Sequence, residues 1–463
     1  MRIAAISVAP VFPDYVIGGS QKILADIAVG LKNRGHDIQI WCTGTDAHDG
    51  DFEISEVPVH PDLKLRGSFP ATHQVSPAAL AQTSDLLRKA ADWADRVYLH
   101  ADAVYLRHAL EGADIIRSIH DYVYEEALVS TLSLPANVTV VPSEYLKRVI
   151  EATVALSGRT SIEPVISIPN GVHVPESLPQ PKLPDGVQAR EENDLILLFP
   201  HRPEPTKGVR EAISTAVEVQ RLDPARNVRL LMPAYSSDSN LDEAAGSSQE
   251  ILAMAEELGA SDIVELHSWL SPGEMPGYYT AGDVTLCVGS FIESFGLVPV
   301  ESVANGTPAV CTRVGALRQF VDVDGITLVP YGRIETAANA VLDATAATGE
   351  WLNSGAIQIK ALFSRETMVS EFESVITRFL PGDRAILLAG NGRLELAPWC
   401  DVQEDRIYDD YAAASVQFPE LTRALGSGGG FVPSDPLSLS ATLDAEVRFA
   451  VERGVLIPEF VYG

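Results

Sequence analysis

Twice along this chain, short apolar runs alternate with amphipathic segments, and that alternation restricts the fold to the α/β class. The first run is RIAAISV at 2–8, followed by a loop holding Gly18 and Gly19. Next, Ile23, Leu24, Ile27, Ala28 and Leu31 recur at helical spacing between Ser20 and Arg34, with Ser20 as the expected N-cap. Gly35 ends the helix, and DIQIWC at 37–42 reads as a second strand, which completes a βαβ unit. Strands are also expected at 96–100, 114–119 and 137–141, and ISIPNGV at 166–172 is an apolar run ending in a turn.

Residues 173–193 are rich in proline and charge and read as a linker. A second alternation follows, with apolar runs at 195–200, 228–234, 263–267, 284–289 and 307–312. The expected architecture is two Rossmann-like domains, residues 1–180 and 181–380, facing each other across a ligand cleft at the carboxyl ends of their strands. Residues 381–463 form a small C-terminal extension with a GSGGG tract at 426–430 and a helical stretch near 442–453. Partner binding, carrier recognition and dimerisation are the roles open to it.

Composition narrows the function classes. The net charge of −29, with arginine far more frequent than lysine, disfavours nucleic acid and anionic membranes as partners. No apolar run reaches the roughly 18 residues of a membrane span. The apolar start runs into Pro13 and Asp14 without a cleavage-like site, so it reads as a buried strand, and the expected location is the cytoplasm. Cys42, Cys287, Cys311 and Cys400 are scattered, which fits four buried thiols rather than a disulfide framework or a zinc site.

Three segments carry binding chemistry. FIESFGLVPVES at 291–302 follows an apolar run and places Glu293 and Glu301 around a helix expected to start near Gly296. A helix start offers unpaired N–H groups and a positive dipole end to a diphosphate. Continuous helical rise would set the two carboxylates roughly 12 Å apart, suited to sugar hydroxyls at one end and ribose hydroxyls at the other. HRPEPTKG at 201–208 places Arg202 and Lys207 on a loop at a strand end, where two cations can neutralise a diphosphate. Gly18 and Gly19 allow the backbone to approach a phosphate closely.

Taken together and in this order, these motifs resemble the GT-B glycosyltransferases, in particular the large retaining family 4, over roughly residues 1–380. The pattern reads Glu293, Phe295, Gly296, Leu297, Glu301, then Gly306, Pro308, Val314, Gly315 and Ala316. The resemblance implies donor contacts from Gly18, Gly19, Arg202, Lys207, Glu293, Ser294, Phe295, Gly296, Leu297 and Glu301. It also implies that His120, in the dipeptide His120-Asp121, touches the transferred sugar, with Asp121 fixing the loop or orienting the imidazole. Ser143 and Asn170 are read as structural, the first capping a helix and the second turning the chain. The chain departs from the family pattern at His201, where many relatives have glycine, at His173, and in its C-terminal extension.

The implied reaction moves a hexosyl-type group from a nucleotide-diphosphate sugar, with UDP as the first expectation, to a hydroxyl of a small soluble acceptor. The anomeric configuration is retained, and catalysis rests on His120, Arg202, Lys207 and Glu293 with no metal or other cofactor. A non-catalytic scaffold and a nucleotide-sugar epimerase are the competing readings. An oxidoreductase is disfavoured because no GxGxxG follows either domain's first strand. The oligomeric state stays open, with a homodimer among the alternatives.

Overall fold

The computed structural model describes residues 1–12, 19–44, 50–64, 75–121, 125–234, 248–347, 349–378, 382–426, 430–431 and 440–463. Its first sheet has eight strands, in the order Phe52–Ile54, Val57–Leu63, Asp37–Thr43, Arg2–Ser7, Arg96–His100, Ile115–Ser118, Val138–Val141, Val165–Ser167. All neighbours run parallel except the first two. Such a sheet has cover on both faces, and strands Arg2–Ser7, Arg96–His100, Ile115–Ser118 and Val138–Val141 are almost wholly buried. The order reverses at Arg2–Ser7, and this reversal opens a crevice beside the carboxyl end of that strand.

The second sheet repeats this logic with six parallel strands. Their order is Val264–His267, Asn227–Pro233, Asp194–Leu198, Val284–Cys287, Ala309–Thr312, Ile326–Val329, with the reversal at Asp194–Leu198. The expected α/β architecture of two Rossmann-like domains is therefore present. In each domain the switch point lies at the first strand.

The first helix, Gly19–Asn33, buries Ile23, Leu24, Ile27, Ala28 and Leu31. Its larger side chains each contribute roughly 1.5–3 kcal/mol by leaving water. Ser20 was expected to cap this helix. Instead it lies inside the first turn, with its hydroxyl 2.9 Å from Nε2 of His100. The linker around 173–193 is packed rather than loose, with Leu183 and Val187 against the cluster of Ile196, Leu198, Tyr278 and Tyr279. Helix Arg365–Thr377 returns to the first domain, where Met368, Val369, Phe372, Val375 and Ile376 share a core with Ile3, Ile23 and Tyr98. This returning helix packs the chain that follows the second domain back onto the first.

Beyond residue 382 the described residues form small antiparallel sheets and two α-helices, Pro419–Leu425 and Ala441–Glu452. Strand Arg384–Leu388 pairs with Ser161–Ile162 of the first domain, and Ala397, Ile407, Phe418 and Leu456 close a small core over Ala152. The stretch 427–429 of the glycine-rich tract lies outside the described residues. All four cysteines are free and buried.

Candidate active site at the domain cleft

Both switch points face one cavity of about 600 Å³. The first domain contributes Gly19, Ser20, Lys22, His120 and Asp121. The second contributes Arg202, Lys207, Glu293 and Glu301, together with Ser294, Phe295, Gly296 and Leu297. Apart from Gly18, which lies outside the described residues, every residue expected at the donor site thus borders one space.

Lys207 ends a 3₁₀ turn, Pro205–Lys207, directly after the first strand of the second sheet. Its Nζ lies 2.7 Å from Oε1 of Glu293 and 3.4 Å above the centre of the Phe291 ring. Arg202 pairs through Nε with Glu204 at 3.1 Å. Both cations stand on the same strand-end loop and are directed by carboxylates and an aromatic face.

The helix inside the motif starts at Leu297, with Gly296 as its left-handed N-cap at φ 93°. Glu293 therefore precedes the helix and sits on a loop, and helical rise does not set its separation from Glu301. The two carboxylates meet different bases. Glu293 holds Lys207, while Glu301 receives Lys22 Nζ at 2.6 Å and the Tyr279 hydroxyl at 3.3 Å. The Phe295 ring is 1% exposed and packs edge-on against Phe320 and Phe363, so only its main chain has a share in ligand chemistry. Gly19 comes close to the second domain, where a Cβ would lie 2.8 Å from the end of the Leu297 side chain, Cδ1, across the cleft.

His120 is buried, its Nε2 has no hydrogen-bond partner, and its ring stacks 4.4 Å from that of His100. Burial pushes its pKa down to about 4, so at neutral pH the imidazole is neutral. His100 in turn bridges Ser20 and the Tyr98 hydroxyl. Asp121 was expected to orient the imidazole or fix its loop. Its carboxyl instead answers to burial first and then to Glu293, Lys207 and Arg202, and its pKa is pushed up to about 6.

Sequence reasoning missed several residues. Lys22 was one apolar-face neighbour among many, and its pairing with Glu301 spans 279 positions. Ser143 caps its helix as expected by accepting from Leu146 N, and it also donates to Ser294 O at 2.6 Å across the cleft. Asn170, read as a turn residue, borders the cavity with a buried, unpartnered Oδ1. His201, the departure from the family glycine, lines the same wall, 8% exposed. Trp269, Met275, Pro276 and Tyr279 add apolar surface to the cavity lining, and Tyr279 reaches Glu301 through its hydroxyl. Among the described residues, Asp51, His60 and Asp62 are close enough to share an ion, and none of them borders the cavity.

Comparison with known proteins bears on the fold and on the second domain. Residues 185–347 match the family model for glycosyl transferases group 1. A D-inositol 3-phosphate glycosyltransferase of Segniliparus rotundus is 37% identical over 125 residues, 27% of this chain and 26% of that relative. The chain spans between 26% and 45% of the length of the first six curated relatives it matches. Sucrose-phosphate synthase from Thermosynechococcus elongatus superposes with a TM-score of 0.64 at 18% identity, covering 81% of this chain and 98% of that one. Anabaena HepE in complex with UDP-glucose superposes with a TM-score of 0.59 at 16% identity, covering 81% and 99%. Among the described residues no helix is long and apolar enough to cross a membrane. The chain thus has the GT-B fold, and residues 185–347, within its second Rossmann-like domain, match the glycosyl transferases group 1 family model.

Proposed function

We propose that this protein is a retaining, metal-independent glycosyltransferase that moves a hexosyl group from a UDP-sugar to a hydroxyl of a small soluble acceptor. The observation that carries this reading is the convergence of Lys207, Arg202, Glu293 and a helix start on one wall of a cavity whose opposite wall holds His120. Lys207 and Arg202 are the cations that stabilise a departing diphosphate, aided by the N–H groups that follow Gly296. Glu293 accepts hydrogen bonds from the donor sugar, and Glu301 accepts them from the ribose. The apolar surface around Trp269 suits a nucleobase.

The neutral imidazole of His120 contacts the transferred sugar beside the anomeric carbon. The acceptor hydroxyl attacks from the face that the diphosphate leaves, and a diphosphate oxygen takes its proton. Stabilisation of the leaving group by preorganised charge is the main catalytic contribution. The fixed cations serve where other enzymes place a metal ion. Closure of the cleft limits donor hydrolysis.

Two similarities support the finer assignments. HepE is a fold neighbour described with UDP-glucose, and the Segniliparus relative is named for an inositol phosphate acceptor, in line with a cyclitol-type acceptor here. A thermal-shift screen with UDP, GDP, ADP, dTDP and their sugars, run in EDTA, tests the donor. Ligand at about 100 times its Kd stabilises by ~2.7 kcal/mol. Stabilisation by a uridine nucleotide that disappears in Lys207→Ala is the expected result, and no response to any nucleotide discards the proposal.

A further inference from the structure

The C-terminal extension reaches the donor wall through two aspartates. Arg313 and Arg318 flank the turn Val314-Gly315-Ala316, and each is met by a carboxylate from beyond residue 382. Asp401, on strand Cys400–Gln403, takes Nε and Nη2 of Arg313 in a two-pronged contact, both at 2.9 Å. Asp410 is 2% exposed, and it accepts from Arg318, from Gly315 N at 3.3 Å and from the Tyr145 hydroxyl at 2.8 Å.

The turn they hold lies directly against Glu293. Ala316 N donates to Glu293 O at 2.8 Å. Gly315 has φ +55°, and a Cβ there would sit 2.7 Å from the same carbonyl, so no other residue allows this approach without movement. Tyr145 belongs to the first domain, on the helix Glu144–Leu156 whose N-cap Ser143 donates to Ser294 O. One buried carboxylate thus gathers donors from both domains at the base of the Glu293 loop.

We propose that Asp410 is a positioning residue for donor-sugar recognition: it pins the 313–318 turn against the main chain of Glu293, which fixes that carboxylate opposite Lys207. This rests on the reading of Glu293 as the residue that holds the donor sugar. A buried carboxylate with three donors resists displacement, because each lost contact leaves a polar group buried and unpaired. Arginine pairs at Asp401 and Asp410 hold the turn at both ends. The extension thereby becomes part of the donor site without touching the ligand.

The test uses the full chain and the variants Asp410→Asn and Tyr145→Phe. Asparagine keeps the shape but cannot accept from every donor now facing Asp410. Asp410→Asn should raise amide exchange across 290–297 about tenfold, with strand Arg2–Ser7 unchanged. It should weaken UDP-glucose binding about tenfold and bare UDP binding less than about twofold, because only the sugar calls on Glu293. A merely structural role would weaken both ligands together, and that result, or unchanged exchange at 290–297, overturns the proposal. If the wild type binds neither probe, the donor-site reading fails, and the exchange measurement alone decides the positioning role. Should Asp410→Asn not fold, Tyr145→Phe removes one hydroxyl only. It should raise exchange over 313–318 about threefold, and no change there rejects the proposal.

Discussion

Lys22 of the first domain and Glu301 of the second form an ion pair across the cleft, with Nζ 2.6 Å from Oε1. Both side chains keep between a fifth and about a quarter of their surface in water, so the pair contributes at most about 1 kcal/mol. In the proposed function Glu301 serves the ribose, and Lys22 competes with it for the same oxygen. Lys22→Met should therefore tighten UDP binding by about threefold in calorimetric titration. Weaker binding would make Lys22 a ligand contact rather than a competitor.

Lys207 carries the heaviest catalytic demand. Loss of one preorganised donor at a developing charge costs about 10²–10³ in turnover, and Lys207→Ala should fall in that range. Steady-state kinetics with saturating donor measures this. Turnover near wild type would remove Lys207 from leaving-group stabilisation.

If Arg202, Lys207 and the Gly296 helix start suffice for the diphosphate, chelation should do nothing. Turnover after dialysis against EDTA should stay within about twofold of the untreated enzyme. A loss restored by a divalent ion would overturn the metal-independent mechanism.

His120 and the neighbouring Asp121 place opposite slopes on stability in acid. The folded pKa of His120, about 4, lies below its ordinary 6.5. Below pH 6.5 the unfolded chain therefore binds more protons at this site. Its contribution is whole above pH 6.5 and declines toward pH 4 by about 1.4 kcal/mol per unit. The Asp121 carboxyl, raised to about 6, works the other way and relieves the folded state as pH falls through that value. His120→Gln removes the first slope only. Relative to wild type it should gain about 2 kcal/mol between pH 7.5 and 4.5 in urea unfolding, and parallel pH profiles would contradict the buried neutral imidazole.

Phe295 separates packing from chemistry within the motif. Its ring is buried against Phe320 and Phe363, so Phe295→Ala should destabilise by about 3–5 kcal/mol in urea unfolding. Phe295→Leu, which refills most of the space, should recover much of that stability along with donor binding. Wild-type stability in the alanine variant would mean that the ring is not a core element.

The chain order of apolar runs was enough to locate nearly every central strand and to anticipate two doubly wound halves. Local pattern reports an element's own buried face, as with Ile23, Leu24, Ile27 and Leu31 on the first helix. The motif likewise placed Arg202, Lys207 and Glu293 correctly on one cavity, because each follows closely on a strand end of a parallel sheet. What local pattern could not decide is which side chains meet. Glu293 and Glu301 stand eight positions apart in sequence, yet the helix starts between them and each faces a different lysine. The stacking of His100 on His120, the reach of Lys22 to Glu301 and the hold of Asp410 on Gly315 join strands, domains and a late extension. Sheet order, the returning helix Arg365–Thr377 and burial set those distances. Sequence determined the elements and the reactive groups, since both follow from local periodicity and residue chemistry. Tertiary structure alone decided their partners, because Coulomb and hydrogen-bond contacts depend on distance in space rather than along the chain.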